Sequence, residues 1–447
     1  MKIVIAGAGA IGFHLAKLLE KENQDITLID NNSEVLEGVA NKLDVMTLHG
    51  NATSIDILKE AEVSKANLFI AVTTSQETNL LIAILAKQKG AKTTIARVSN
   101  PEFLNASQKS YFAKIGIDQI ISPNHLASKE IKRLIERASL TDIFDFENGK
   151  ISVAGFTIDG NSPLIGQPIS SIDESQENFE YRGVALLRNH KTIIPKNHTI
   201  LQKGDHLYLS IISQNVDNVL PFLGRQKKDI KKVMIVGDTT LALDTAKNLQ
   251  NDYHVTLVVK NKSTAKRFLN SLEKTLIIIG DPGSKDLLEQ EGLAHMDAFI
   301  AVTPNTEINI LSSLLAEDSG VYKTIALVDN EVYTHISQNI GVDTIINKKL
   351  IAANNIFRYV RKGHIKAIAQ LHGVDAEIIE FEITKENHVT RKTLGELNLR
   401  VSSIIIAGVV RGEQSIIPSK DFMLKKGDKV IVFALPESIK HVESYFT

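Results

Sequence analysis

Four residues near the start of the chain are of a type and spacing that could do chemistry together: Gly7, Gly9, Gly12 and Asp30. In Gly7-Ala8-Gly9-Ala10-Ile11-Gly12 the first glycine permits a sharp turn, the second lets a phosphate approach the backbone, and the third lets a helix pack close to a strand. The N–H groups at the start of that helix then face a pyrophosphate. Asp30 lies 18 positions beyond Gly12 (30 − 12), where a carboxylate accepts hydrogen bonds from an adenosine ribose. Such a charge repels a 2′-phosphate, so the pattern favours NAD(H) or another unphosphorylated adenosine ligand over NADP(H). Three glycines alone could merely pack a parallel sheet, and the flanking elements decide.

Those elements have the required order. Ile3 to Ala6 is an apolar strand, Ile11, Leu15, Leu18 and Leu19 recur at helical spacing, and a second apolar run ends in Asp30. A third run, Val45 to Leu48, leads into Gly50-Asn51-Ala52-Thr53, and a fourth, Leu68 to Val72, into Thr73-Thr74-Ser75. Ligands of open parallel sheets sit outside the carboxyl ends of the strands, so Asn51, Thr73 and Thr74 are candidate adenine and ribose contacts. A helix over Thr78 to Lys89 is expected to bury Leu80, Leu81, Ile84 and Leu85. The next strand, Thr94 to Val98, carries Arg97, whose planar fork can reach a phosphate. Ile120-Ile121 makes a sixth strand, and Pro123 opens a helix with Leu126, Ile131, Leu134 and Ile135. From Ile151 to Leu209 apolar residues alternate, with turns at Asp159-Gly160 and Lys203-Gly204-Asp205, which predicts a small, mainly β lobe.

The sequence then repeats itself. Lys232 to Gly237 matches Lys2 to Gly7 at an offset of 230 (232 − 2), and the same offset relates Phe69-Ile70-Ala71-Val72-Thr73 to Phe299-Ile300-Ala301-Val302-Thr303 and Asn79 to Asn309. Pro195 and Lys203-Gly204-Asp205 recur as Pro418 and Lys426-Gly427-Asp428, so the β lobe is duplicated too. The fold class is therefore α/β, with two tandem doubly wound parallel-sheet lobes, each followed by a small mainly β lobe. The predicted boundaries are 1–138, 139–224, a linker at 225–231, 232–362 and 363–447. The copies differ where chemistry would be: the second reads Gly237-Asp238-Thr239-Thr240-Leu241-Ala242, the counterpart of Asp30 is Val259 or Lys260, and that of Arg97 is Leu327. A charged hydrogen bond contributes roughly 1.5–3 kcal/mol, so the second lobe is expected to be empty or to hold something weaker. The basic stretch Arg225 to Lys232 reads as a solvated linker, and Ile356, Phe357 and Val360 as packing residues.

The 447 residues are 43% hydrophobic, with 51 basic against 52 acidic side chains and no cysteine. That balance gives no global attraction to nucleic acid or anionic lipid, and the absence of cysteine excludes disulfides, thiolate nucleophiles and cysteine-held zinc. No apolar run approaches the ~18 residues of a membrane span, and no signal peptide or metal site is expected. A dehydrogenase is the alternative reading, but the β lobe shows no acid/base constellation to present to a nicotinamide; His190 and His198 lie in polar, turn-like surroundings.

The opening KIVIAGAGAIG, the GNAT at Gly50 to Thr53, AVTTSQETN at Ala71 to Asn79, ARVSNPEF at Ala96 to Phe103 and the β lobe that follows, all in a duplicated order, resemble the TrkA family. These are tandem RCK (KTN) regulatory subunits of Trk-type potassium uptake systems, each Rossmann lobe carrying a TrkA-C lobe. The resemblance implies a non-enzymatic protein that binds NAD(H) and ATP or ADP at the same site. It also implies a homo-oligomeric, tetrameric ring, cytoplasmic and peripheral on the inner face of the cell membrane, that gates a TrkH/TrkG-like potassium-translocating subunit. Carried over by position, the backbone of Gly7, Ala8, Gly9, Ala10 and Ile11 would hold the phosphates, Asp30 the adenosine ribose, Asn51, Thr73 and Thr74 would line the nucleotide, and Arg97 would meet a phosphate.

Overall fold

The structure is a computed structural model. It describes the chain except residues 22–23, 159, 161, 175–179, 190, 225–226, 330–332, 334–341, 358, 360–364, 371–375, 398, 400–402, 436–437, 439–441, 443–444 and 447. Asp159, His190, Arg225, Gln226 and Val360, each within a stretch considered above, thus lie outside the described residues. Two compact units make up the chain. One comprises residues 1–130, 243–248 and 346–361, and the other the remainder.

The first unit is built on a parallel six-stranded sheet. Its strands are β1 (Lys2–Ala6), β2 (Asp25–Asp30), β3 (Met46–His49), β4 (Leu68–Ala71), β5 (Thr93–Arg97) and β6 (Gln119–Ile121), in the order 3-2-1-4-5-6. The central strands β1 and β4 read as unbroken apolar runs because helices cover both faces of the sheet, whereas edge strand β3 exposes Met46 and buries Leu48. Residue Gly12 lies in the helix Ala10–Lys21, which follows β1. Helix Gln76–Gln88 is capped by Ser75, whose Oγ accepts from Thr78 N at 3.1 Å, and Gly90 ends it at φ +108°. Its fully buried face is Asn79, Ile82, Ala83 and Ala86; of the four residues expected inside, Leu80, Ile84 and Leu85 are partly buried and pack against the core, and Leu81 is 49% exposed. The small alanines let the helix lie close to the sheet, and Asn79 turns inward to join two strand ends.

Two pieces from later in the chain complete this unit, 243–248 and 346–361. The helix Lys348–Phe357 packs on Ala10–Lys21 and buries Ala352, Ala353, Ile356 and Phe357, which makes Ile356 and Phe357 packing residues. Asp244, on the helix Thr240–Leu249, is buried, and its Oδ2 has no hydrogen-bond partner among the described residues. Burial raises its carboxyl to about 6. The folded state therefore binds more protons than the unfolded chain between about pH 4 and 6, and stability falls as pH rises through that window. Asp244→Asn is expected to flatten this dependence and to raise stability at pH 7 by roughly 1–3 kcal/mol. Thermal unfolding of both proteins across pH 4.5–7.5 (about the window where such a carboxyl titrates) checks this, and an unchanged slope would contradict it.

The second unit holds the second parallel sheet: β12 (Lys232–Val236), β13 (His254–Val259), β14 (Leu276–Ile279), β15 (Ala298–Ala301), β16 (Lys323–Leu327) and β17 (Thr344–Ile346). Its order, 14-13-12-15-16-17, repeats the first. It also holds two antiparallel five-stranded sheets. One is β7 (Asp142–Phe146), β8 (Ile151–Thr157), β9 (Tyr181–Arg188), β10 (Lys191–Ile193) and β11 (His206–Ile212), with β7 an addition to the strands expected from alternation. The other is β18 (Ile365–Gln370), β19 (Glu377–Glu382), β20 (Ile404–Arg411), β21 (Gln414–Ile416) and β22 (Lys429–Ala434). The two β sheets share a core that includes Phe146, Val184, Tyr208, Ile378, Ile405 and Phe433.

Each β lobe is pinned by the same device. Arg188 grips Asp205 through two hydrogen bonds of 2.7 and 2.6 Å, and Arg411 grips Asp428 through two of 2.8 Å. The repeated Lys-Gly-Asp is thus more than a turn: its aspartate is a buried anchor for an arginine fork. In the basic junction, Lys227 pairs with Asp217 at 2.7 Å and Lys228 lies over the Tyr322 ring, and both lysines are exposed.

Candidate nucleotide-binding site

The carboxyl ends of β1, β2, β4 and β5 border a cleft of about 620 Å³ where the strand order reverses. Gly7, Gly9, Ala10, Ile11, Asp30, Asn51, Thr73, Thr74 and Arg97 all line it. Ala8 and Gly12 stand behind the lining.

The turn is built by backbone constraints. Gly7 adopts φ +109°, and a Cβ there would meet Thr73 N and Val72 C at 2.9 Å; Gly12 faces Gly7 O, 1.8 Å from where a Cβ would stand. A Cβ on Gly9 would meet nothing within 4 Å, so that glycine leaves the cleft side of the turn open to a ligand. Asp30 buttresses the turn: Oδ2 accepts the Ala8 N–H at 2.6 Å and Oδ1 the Asn32 N–H at 2.9 Å. A carboxylate has about four acceptor positions, so both bonds leave capacity for ribose hydroxyls.

The opposite wall is organised by Asn79. Its Oδ1 accepts from Thr73 N at 2.8 Å and Thr73 Oγ1 at 2.7 Å, and its Nδ2 donates to Thr73 O at 3.1 Å and Arg97 O at 3.0 Å. One buried amide thus ties the ends of β4 and β5 together. Arg97 Nη1 donates to Thr73 O at 3.2 Å, and burial lowers its pKa, although a guanidinium stays charged. Gln76 Oε1 accepts from Ser99 N and Asn100 N at 2.9 Å each and fixes the loop after β5. Asn51 closes its own turn, accepting from Thr53 N at 3.0 Å.

The second copy keeps the frame and loses the site. Asn309 makes the same four bonds to Thr303 and Leu327. Strand register pairs Lys2 with Asp25 and Lys232 with His254, so Val259, fully buried, is the counterpart of Asp30; Arg97 likewise corresponds to Leu327. Lys260, next in the chain, pairs with Asp281 at 3.1 Å, Asp238 accepts from Asn261 at 2.9 Å, and Thr239 Oγ1 donates to Val302 O at 2.9 Å. Side chains bond to one another where the first copy presents bare backbone and a buttressing carboxylate.

Two charged lining residues carry no signal in the local sequence. Lys348 and Lys349 begin the helix that packs on Ala10–Lys21, and both line the cleft. Asn79 was visible only as a repeated letter, although its retention as Asn309, while Thr74, Ser75 and Gln76 change to Pro304, Asn305 and Thr306, marks it as part of the frame. Among the described residues no cluster of His, Asp or Glu could hold a metal ion.

TrkA-N domains match residues 3–123 and 233–348, and TrkA-C domains match 153–224 and 378–447. The chain belongs to the TrkA family. It is 32% identical to the Trk system potassium uptake protein TrkA of Haemophilus influenzae, over all of this chain and 98% of that protein. It is 30% identical to a TrkA homolog of Archaeoglobus fulgidus over the full length of both. The fold matches the GsuK RCK domain with a TM-score of 0.61 at 16% identity, covering 100% of this chain and 94% of that one, and the GsuK channel bound to NAD with a TM-score of 0.60 at 16% identity, covering 100% and 78%. TrkA-family membership places the chain in potassium uptake and its glycine cleft in a Rossmann-type nucleotide-binding lobe, apart from the dehydrogenases that share the turn. Among the described residues no helix is long and apolar enough to cross a membrane.

Proposed function

We propose that this TrkA-family chain is the nucleotide-sensing regulatory subunit of a potassium uptake system. NAD(H) occupies the first-lobe cleft, and ATP or ADP competes for its adenosine half. The observation that carries this reading is the asymmetry of the duplication: glycine turn, Asp30 and Arg97 meet in one cleft, and the matching positions of the other copy are Asp238, Val259 and Leu327. GsuK channels of the same fold are described bound to NAD and bound to ADP, which agrees with it.

A nucleotide gates only through differential affinity for two arrangements of the protein. One site typically couples about 1–3 kcal/mol, and moving a gate from 1:99 to 99:1 takes roughly 5.5 kcal/mol. Several linked sites are needed, so the subunit acts as a homo-oligomeric ring, tetrameric in this reading. It docks on a TrkH/TrkG-like membrane subunit at the cytoplasmic face.

Calorimetric titration of NADH, NAD, ATP and ADP tests the proposal. Binding of one equivalent per chain is expected, with NADH displaced by ATP. Asp30→Ala removes both the ribose acceptor and the buttress of the turn, and each lost charged hydrogen bond is worth roughly 1.5–3 kcal/mol, so affinity should drop about a hundredfold. Wild-type affinity in Asp30→Ala, or simultaneous binding of NADH and ATP in the first lobe, would contradict it.

A further inference from the structure

We infer that Lys348 and Lys349 bind the phosphates of the nucleotide in the first-lobe cleft, so that the sensing site is assembled from both duplicated halves of the sequence. This rests on the proposed nucleotide site and names the residues that set its preference among ligands. The four charged side chains that line the cleft are Asp30, Arg97, Lys348 and Lys349, three cations against a single carboxylate. Asp30 is already bonded to the turn, and Arg97 is tied to the Thr73 carbonyl. Two of the three cations are thus the lysine pair.

The position of that pair is fixed. Ala352, Ala353, Ile356 and Phe357 anchor their helix against Ala10–Lys21, the helix whose own start forms the end of the glycine turn. The lysines and the turn are thus held on neighbouring helices within one compact unit. At the helix start, buried Asn347 accepts the N–H groups of Lys349 at 3.0 Å and Leu350 at 3.1 Å through its Oδ1. Those two donors are consumed by the cap, so the ammonium groups, and not the helix terminus, are what this segment offers an anion. Two flexible point charges suit a variable number of phosphates. They should favour a triphosphate, which carries more negative charge than the pyrophosphate of a dinucleotide, and they place a charge-reading element on the segment that continues directly from strand β17.

The test is titration of the intact protein with NADH and with ATP in magnesium-free buffer at two salt concentrations. For Lys348→Gln/Lys349→Gln we expect ATP affinity to fall roughly tenfold or more and NADH affinity by about threefold. The salt dependence of ATP binding should flatten. Lys348→Arg/Lys349→Arg should restore most of the ATP affinity, and the unliganded melting temperatures of both variants should stay near that of the wild type, because these side chains are partly exposed. If the Gln variant keeps the wild-type ATP:NADH ratio and salt dependence while the wild type binds both ligands, the inference is wrong and the site reading stands. A wild type that binds no adenine nucleotide overturns both.

Discussion

Gly12→Ala is expected to abolish measurable adenine-nucleotide binding and to destabilise the first lobe. The added methyl would lie 1.8 Å from the Gly7 carbonyl oxygen and 3.0 Å from its carbon, and the obstructing atoms are backbone, so no rotamer change can relieve the contact. The helix Ala10–Lys21 must retreat from β1 or the turn must open, and either movement displaces the N–H groups proposed to hold a pyrophosphate. Overpacking typically costs about 1–3 kcal/mol, with backbone clashes at the upper end or beyond. The duplicated half shows how such a methyl is accommodated. There Ala242 stands at this position, Gly237 has moved to φ +146°, and the Thr239 hydroxyl both donates to Val302 O and accepts the Ala242 N–H at 3.2 Å. A turn reshaped to admit a Cβ fills its phosphate side with a threonine. Titration with NADH and unliganded thermal unfolding check the prediction, and near-wild-type binding by Gly12→Ala would show that the turn does not carry the ligand.

The parts of this protein legible from sequence are those in which one residue type is dictated by local geometry. The glycine turn, the acid closing β2 and the two threonines after β4 are each placed by a strand end, and a strand end is visible as the close of an apolar run. The offset of 230 then made the two copies comparable position by position, and strand register settled what spacing had left open, that Val259 and not Lys260 replaces Asp30. The illegible parts depend on which segments come together. Lys348 and Lys349 reach the first cleft from far along the chain, and no local pattern announces that a helix packs on an earlier lobe. At the other end of the same helix, apolar Ile356 and Phe357 announce packing, whereas two lysines opening a helix look like any solvated pair. On Gln76–Gln88, Leu80, Ile84 and Leu85 flank the buried face and pack against the core as their spacing predicts, Leu81 alone turns to solvent, and the centre of the face is taken by small alanines and by Asn79, which orders both strand ends.

Lys323→Ala is expected to be the most destabilising single substitution in the second parallel sheet. A lysine opening a strand reads as a solvated residue, and its counterpart at the same offset is the unremarkable Thr93. In the folded protein Lys323 has no exposed surface: Nζ donates to Leu140 O at 2.5 Å and Thr344 Oγ1 at 2.6 Å and pairs with Asp343 at 2.8 Å. It joins β16 to the segment before β17 and to the peptide that precedes β7, within one unit. Three partners compensate the desolvation of a buried ammonium, and a truncation takes this donor from the Leu140 carbonyl and the counter-charge from the Asp343 carboxylate, which keeps the Thr344 hydroxyl and partial contact with solvent. Removing one partner of such a buried pair costs about 3–5 kcal/mol. Lys323→Met, which fills the volume without a charge, should recover part of that loss but not the bond to Leu140. Denaturation with urea, followed by nucleotide titration of the surviving folded fraction, separates the consequences: stability should fall steeply for Lys323→Ala and less for Lys323→Met, while NADH affinity of the folded protein stays unchanged because the cleft lies in the other unit. A melting temperature near wild type for Lys323→Ala would mean that the three partners are satisfied without the ammonium.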